Sequence, residues 1–173
     1  MYYKIIYSKE NVRTNGPYVM AECLTDLDFF DFEDENWKDG NVDLLKFKID
    51  DKLIPDFIFN DLNLRIISNN FKDLLDKLHS SKNLIFFPVE LYKSNILKTG
   101  YWLVLFKKLQ GIVDQEKSTY SAGELMYPMF TDNSPKDEVF NYNGGMNDWY
   151  VHNDLLKKIK NQNLEGVDFR KLK

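Results

Sequence analysis

The chain has 173 residues, of which 43% are hydrophobic and 15% aromatic, and its formal net charge at pH 7 is −4. This length and apolar content fit a single folded domain, residues 1–173, and exclude an intrinsically disordered chain. The sequence has no apolar run of about 18 residues and no secretory signal pattern at its start, so we expect neither a membrane span nor a membrane partner.

The net charge and the cysteine content indicate which kind of binding partner and which cellular compartment to expect. The acidic balance argues against nucleic-acid binding, because proteins that bind nucleic acids normally present a basic surface. The single cysteine, Cys23, cannot form an internal disulfide, which suits a reducing cytoplasm. We therefore expect a cytoplasmic protein that does not bind nucleic acid.

The N-terminal part of the chain, residues 1–62, is predicted to be rich in β-strands. Its opening, YYKIIYS, is typical of a strand, and residues 18–22 and 42–49 are further candidates. Proline has no backbone N–H, so a strand that contains Pro55 is expected to be short or to lie at a sheet edge.

An acidic segment, residues 26–35, separates two of these strands. It reads DLDFFDFEDE, with six acids, no base and three phenylalanines. It is either a solvated loop anchored by its phenylalanines or an acidic surface with embedded aromatics that meets a basic partner. On the second interpretation its candidate partner-binding residues are Asp26, Asp28, Phe29, Phe30, Asp31, Glu33, Asp34 and Glu35.

A unit of strand, polar cap, helix and strand follows in residues Leu64–Glu90. Ser68 or Asn69 is expected to cap the helix, because a side-chain oxygen can accept a hydrogen bond from the first turn. The returning strand contains Pro88, which indicates an edge or a bulge. Apolar side chains at i, i+3, i+4 and i+7 predict the buried face of the helix, formed by Phe71, Leu74, Leu75 and Leu78.

The middle of the chain contains the strongest strand pattern and the most suggestive polar pair. The run YWLVLFKKL predicts a central strand, and residues 124–130 another. Asp114 and Ser118 follow the first of these. They either contact a ligand or a partner, or satisfy the amides of a turn, as aspartate and serine commonly do.

A second copy of the unit occupies residues Trp149–Leu172. A predicted hairpin through Asn143-Gly144-Gly145 leads into it, and Asn153 or Asp154 is expected to cap its helix. The whole pattern predicts roughly eight to ten strands and two helices. We therefore predict a mixed α+β fold, with a mostly antiparallel sheet and two main helices that come from the duplicated unit.

The residues themselves indicate no reaction centre, metal site or cofactor site. The two histidines, His79 and His152, are far apart in sequence, and one cysteine cannot form a thiolate zinc cluster. No phosphate-binding glycine motif or nucleophile elbow occurs. We expect a protein that is not an enzyme. Two alternatives stay open: a small enzyme with a pocket near Asp114 and His152, or a ligand-sensing or scaffold domain.

Residues from about Leu64 to the C-terminus resemble the immunity proteins encoded beside bacterial polymorphic toxins. The likeness is to the family first described from a myxobacterial immunity protein, formerly a domain of unknown function. The segments that carry it are RIISNNFKDLL, NLIFFPVELY, YWLVLFKKLQGIVDQEKS and VFNYNGGMNDWYVHNDLLKKIKNQNLEGVDFRKL.

Each segment resembles a defined part of that family. They correspond to its strand, serine and helix, to a strand in which proline precedes an aliphatic residue, and to a central strand that leads to Asp114 and Ser118. The last resembles the closing hairpin, helix and Gly-x-x-Phe strand. The chain departs from the family in having His152 where serine is usual, and the acidic N-terminal part has no counterpart.

The resemblance implies a cytoplasmic, non-catalytic inhibitor that binds a cognate toxin and blocks its active site or the entry of its substrate. Many such toxins are nucleases with basic clefts, and an acidic protein can occupy a cleft built for phosphate. On this interpretation Asp114 and Ser118 join the acidic segment as candidate partner-binding residues, and no metal or cofactor is implied.

Overall fold

The computed structural model describes residues 1–8, 18–26, 44–50, 53–107, 113–121, 124–130, 137–141 and 148–172. In these ranges the chain forms twelve strands and two α-helices, which confirms the predicted α+β class but exceeds the predicted number of strands. Several strands are only two or three residues long, which is too short for a clear period in the sequence. The elements are β1 (Tyr2–Tyr7), β2 (Glu22–Cys23), β3 (Lys46–Lys48), β4 (Phe57–Ile58), β5 (Ile66–Ser68), α1 (Asn69–Asp76), β6 (Leu84–Lys93), β7 (Ile96–Phe106), β8 (Thr119–Ser121), β9 (Glu124–Tyr127), β10 (Val139–Phe140), β11 (Trp149–His152), α2 (Asn153–Asn161) and β12 (Val167–Lys171).

The strands form two main sheets and a separate β8–β9 pair. The four-stranded sheet has the order β10-β11-β1-β12, and all its pairings are antiparallel. The six-stranded sheet has the order β2-β3-β6-β7-β5-β4, in which only the β3–β6 pairing is parallel. This confirms the prediction of a mixed, mostly antiparallel arrangement. Neither described helix is long and apolar enough to cross a bilayer.

The two predicted units have the same arrangement in space. In the first, β5 and β6 flank β7, and α1 connects them. In the second, β11 and β12 flank β1, and α2 connects them. The duplication is therefore confirmed, with an addition that the sequence did not predict: each unit takes an antiparallel strand between its own two. In the second unit that strand comes from the N-terminal part of the chain.

The six-stranded sheet closes on itself. An isolated bridge joins Ala21, beside β2, to Asn60, just beyond β4, which are the two edges of the sheet. The Ala21 N–H donates to the Phe59 carbonyl at 2.8 Å, and the Asp61 N–H donates to the Ala21 carbonyl at 3.1 Å. Because the sheet curves round, its inner face forms a core of its own, made of Ala21, Leu45, Phe47, Ile49, Ile58, Leu64, Ile66, Val89, Leu91, Leu103 and Leu105.

A larger core joins both main sheets to both helices. Trp149 of β11 is 1% exposed, and its ring centroid lies 5.8–6.3 Å from those of Phe57, Phe71 and Phe106. The predicted helical face formed by Phe71, Leu74, Leu75 and Leu78 is buried here, together with Leu155, Leu156 and Ile159 of α2.

Each helix begins directly at the end of a strand. Ser68, the last residue of β5, is the N-cap of α1, and its Oγ accepts the Phe71 N–H at 3.3 Å, as predicted. The prediction for α2 is wrong: its N-cap is His152, without a capping bond from the side chain, and Asn153 is already helical. The end of β11 fixes where α2 starts, so the position of the capping residue follows the strand and not local helix preference.

The proline in β6 behaves as predicted. Pro88 pairs with Trp102 of β7 on one side, whereas β3 pairs with β6 only at Glu90, Leu91 and Tyr92. The register between β6 and β7 shifts between Val89 and Leu91, which is a bulge next to the proline. At Pro88, no described strand pairs with the second side of β6. The missing N–H of the proline therefore leaves no hydrogen bond to a second strand unmade.

Candidate partner-binding surface

The acidic segment leaves the six-stranded sheet at the end of β2. Asp26, the first of its candidate residues, is exposed. The other seven candidates, Asp28, Phe29, Phe30, Asp31, Glu33, Asp34 and Glu35, lie outside the described residues.

The chain on either side of this segment is held together by the β2–β3 pairing. The Leu24 N–H donates to the Lys46 carbonyl at 2.8 Å, and the Lys46 N–H donates to Thr25 Oγ1 at 2.9 Å. Residues 24–26 and 44–46 therefore lie side by side, so the described chain before the acidic segment and the described chain that resumes at Leu44 meet at the same place on the sheet.

The outer face at this anchor carries apolar as well as charged groups. Ala21 and Leu45 point into the inner core, whereas Glu22, Leu24 and Asp26 alternate with the inward residues and are exposed. Leu24 is 50% exposed and Leu44 44% exposed. Lys46 and Lys48 of β3 lie across from Leu24 and Glu22, so this face carries both signs of charge around two large aliphatic side chains in water. Exposed apolar side chains with a charged surround are the composition expected of a protein contact surface.

Three more exposed apolar side chains lie further along the same edge. Val19 and Met20 precede Ala21, and Phe59 accepts the Ala21 N–H through its carbonyl. We call the five residues Val19, Met20, Leu24, Leu44 and Phe59 the β2 patch. Sequence reasoning missed it, because only the register of β2 and β3 shows which alternate positions face water.

Asp114 and Ser118 come together in one turn. Asp114 Oδ1 accepts the N–H groups of Glu116 and Lys117 at 3.2 and 3.1 Å, and the Asp114 carbonyl accepts the Ser118 N–H at 3.0 Å. Ser118 Oγ accepts the Met129 N–H at 2.8 Å. Hydrogen bonding from the Lys117 amide, helped by its ammonium group, lowers the pKa of Asp114. Both side chains therefore accept hydrogen bonds from backbone amides at a turn, which is the second of the two roles that the sequence suggested for them.

This turn lies against a different sheet from Asp26. Val113 forms a bridge to Phe130, and the Phe130 ring packs edge-on against Tyr2 and Tyr150, both at 5.3 Å between centroids, on the four-stranded sheet. The structure thus brings Asp114 and Ser118 together but places them away from the anchor of the acidic segment. Their role in partner binding stays a prediction.

The histidines have separate environments. The His152 ring, at the N-cap of α2, packs edge-on against Tyr2 with the ring centroids 4.6 Å apart. His79 begins a short 3-10 helix after α1, and its Nε2 lies 3.1 Å from the Nζ of Lys82. Within the described ranges, no group of three or more metal-binding side chains comes together.

A buried arginine, also missed in the sequence, links the two sheets. Arg65 is 4% exposed, and its guanidinium lies 5.1 Å from the centre of the Tyr7 ring and 3.6 Å from a carboxylate oxygen of Asp148. Burial raises the pKa of the Tyr7 hydroxyl, and the Arg65 charge partly opposes this rise. The arrangement ties β1 to the starts of β5 and β11, so we interpret it as structural.

Comparison with known proteins gives no assignment of family. No family model matches the chain, and no curated protein is significantly similar to it.

Proposed function

We propose that this protein is an immunity protein, which binds a cognate bacterial toxin in the cytoplasm and neutralises it without catalysing a reaction. The observation that carries the proposal is the position of Leu24 and Leu44. Both are exposed, and they lie at the ends of the two paired strands, at the point where the chain leaves β2 toward the acidic segment. The resemblance of residues from Leu64 onwards to immunity proteins supports the same function.

The surface chemistry supports binding to a basic protein. Carboxylates at Glu22, Asp26 and along the acidic segment attract a positively charged partner and raise the rate of association. The apolar side chains of the β2 patch supply area that is removed from water once contact is made. A toxin with a basic cleft, such as a nuclease, fits both properties.

The direct test uses the toxin domain encoded next to the gene of this protein. Co-expression with that domain in a bacterial host should restore growth, and calorimetry with the purified domain should show a one-to-one complex. Growth arrest that persists in spite of full expression, together with no heat of binding, would contradict the proposed function.

Two sets of variants separate the contributions to binding. Leu24→Ser should weaken binding about tenfold, which is about 1.4 kcal/mol, through lost apolar burial. Its matched control is Tyr120→Ser, which removes an exposed apolar side chain elsewhere, on β8. Asp28→Lys with Asp31→Lys should slow association and reduce its dependence on salt. Asp73→Lys with Asp154→Lys, at exposed positions of α1 and α2, makes the same change in net charge and is the control. Equal association rates for all charge variants would refute the electrostatic part.

A further inference from the structure

One edge of the four-stranded sheet is formed by β12. In the order β10-β11-β1-β12, this strand pairs with β1 alone among the described strands. Two bonds at its ends show which way its backbone groups point. The Ser8 N–H donates to the Gly166 carbonyl at 2.9 Å, and the Leu172 N–H donates to the Tyr2 carbonyl at 3.2 Å. The even-numbered residues of β12 therefore bond to β1, and the N–H and C=O groups of its odd-numbered residues point away from the sheet.

The outward-pointing residues of β12 are Val167, Phe169 and Lys171. The Phe169 N–H is capped within the strand itself, because it donates to Asp168 Oδ1 at 2.7 Å. At one end of the strand, the Glu165 carbonyl already accepts the Phe57 N–H at 3.0 Å, so β4 lies beside that end. A strand added to this edge can therefore pair with residues 167–171, with Phe169 at the centre.

A second copy of β12 is complementary to this edge. When two copies run antiparallel about a two-fold axis at Phe169, the exposed Asp168 of each copy lies opposite the exposed Arg170 of the other. These two residues form a non-hydrogen-bonded pair, in which side chains come closest, so the carboxylate and the guanidinium meet. Val167 lies opposite the apolar stem of Lys171, and the two Phe169 rings lie opposite each other.

The charges also select this register. An axis at residue 168 or 170 would place two aspartates or two arginines opposite each other, which is unfavourable. We propose that β12 pairs with β12 of a second copy about the axis at Phe169, so that two four-stranded sheets join into one sheet of eight strands. On pairing, the Phe169 N–H exchanges its Asp168 cap for a carbonyl of the second copy, and the carboxylate turns to Arg170. This contact goes beyond the proposed function, because it joins two copies of the chain and uses neither the β2 patch nor the acidic segment.

The dimer is expected to be weak. Five paired residues in each copy bury less surface than the roughly 1,200–2,000 Å² of a stable complex. The Lys160 ammonium lies 5.9 Å from the centre of the Phe169 ring, so two like charges approach each other near the axis. We therefore expect a dissociation constant between about 10 µM and about 1 mM.

Sedimentation velocity of the full chain, from about 10 µM to about 1 mM, tests the proposal. The average mass should rise from 20.5 kDa towards twice that value. Asp168→Arg and Arg170→Asp each place like charges opposite each other, so each should weaken dimerisation at least about tenfold. An equimolar mixture of these two variants places opposite charges at both positions and should dimerise at least as tightly as wild type. The control variants Asp73→Arg and Lys77→Asp, at exposed positions in and just after α1, should each dimerise like wild type.

A proline variant tests whether the backbone of β12 forms the contact. Lys171→Pro removes an N–H that points away from β1, so it should prevent dimerisation and leave the bonds to β1 intact. Lys171→Ala keeps this N–H and should dimerise with a dissociation constant within about threefold of wild type. Near-ultraviolet circular dichroism checks that each variant is folded.

Three results would overturn the proposal. The first is a chain that stays monomeric at about 1 mM. The second is a mixture of Asp168→Arg and Arg170→Asp that dimerises no better than either variant alone. The third is a dimer that persists in folded Lys171→Pro, because the two copies would then meet at another surface.

Discussion

The side chain of Asp56 accepts a hydrogen bond from the hydroxyl of Ser68, the N-cap of α1. The Asp56 carbonyl also accepts the Ser68 N–H, at 2.9 Å, and its second carboxylate oxygen accepts the Glu165 N–H, at 2.9 Å. One carboxylate thus joins the start of α1 in the first unit to the loop before β12 in the second. Burial, with a contribution from the Asp56 charge, raises the pKa of nearby Tyr101 to about 12.

Replacing this carboxylate should loosen the junction between the two units. Asp56→Ala leaves the Ser68 hydroxyl and the Glu165 N–H without their acceptor, so we expect the free energy of unfolding to fall by about 2–3 kcal/mol. Urea denaturation measures the change. Asp50→Ala, which removes an exposed carboxylate paired with Lys48, should change it by less than about 0.5 kcal/mol. If the two variants unfolded at similar urea concentrations, Asp56 would not stabilise the junction between the two units.

Two glycines with positive φ should respond differently to alanine. At Gly166, with φ of 78°, a Cβ would lie 2.5 Å from the Phe57 carbonyl oxygen and 2.6 Å from Pro55 Cβ. At Gly100, with φ of 86°, it would meet the Asn69 side chain, which can move. We expect Gly100→Ala to lower the free energy of unfolding by about 1 kcal/mol, and Gly166→Ala by clearly more, about 3 kcal/mol. Thermal unfolding of both variants checks the order, and the reverse order would refute this explanation.

Glu138 should make stability depend on pH in the acid range. Its carboxylate accepts the N–H groups of His79 and Ser80 at 3.3 and 3.1 Å. Burial raises the pKa of Glu138, but bonds from backbone amides outweigh this and lower the pKa below 4.5. The resulting stabilisation is present above pH 4.5 and is lost as the pH falls through the folded-state pKa.

Glu138→Gln removes this pH dependence. The variant should be less stable than wild type at pH 7 by up to about 1 kcal/mol, since the side chain is partly exposed, and the difference should shrink as the pH falls below 4.5. Urea titrations from pH 3 to 7 give the comparison. Glu22→Gln, at an exposed position of β2, is the control. A difference that stays constant over this range would contradict the assigned contacts.

The position of β1 predicts that the second unit can be made continuous in sequence. The Leu172 N–H donates to the Tyr2 carbonyl at 3.2 Å, so residues 172 and 1 lie close enough for a short glycine-serine linker. A permutant opened between Gly144 and Gly145, where the sequence predicts a turn, would read β11, α2, β12, β1, in the order of β5, α1, β6, β7. We expect it to fold, with a free energy of unfolding within about 2 kcal/mol of wild type. Circular dichroism and urea denaturation provide the test, and failure to fold would contradict the equivalence of the units.

Local sequence patterns predicted those parts of the fold that depend on neighbouring residues. Phe71, Leu74 and Leu75 share a helical face because of their spacing, and Ser68 caps α1 because its oxygen reaches the first turn. Pro88 predicted an edge or a bulge because it has no N–H to donate, and a register shift lies next to it, between Val89 and Leu91. The spacing of apolar residues does not show where a helix ends. Leu78 is buried as expected, but α1 has already ended at Asp76.

The remaining features depend on contacts between distant segments, which periodicity does not encode. The β-rich opening predicts that β1 is a strand, but not that it lies between β11 and β12. The same holds for the bridge from Ala21 to Asn60, which closes the six-stranded sheet. Exposure of Leu24 and Leu44 follows from that closure and from strand register, so the surface that supports the proposed function could not be identified from sequence alone.

The placement of β1 also sets an order of events during synthesis. β1 leaves the ribosome before the other described strands, but both of its neighbours, β11 and β12, lie within residues 149–171. The closed sheet with α1 can assemble earlier, because its strands lie between residues 22 and 106. Until β11 emerges, neither edge of the YYKIIY strand has its partner strand, and such edges are a template for aggregation. A nascent chain truncated before residue 149 should therefore need protection by chaperones.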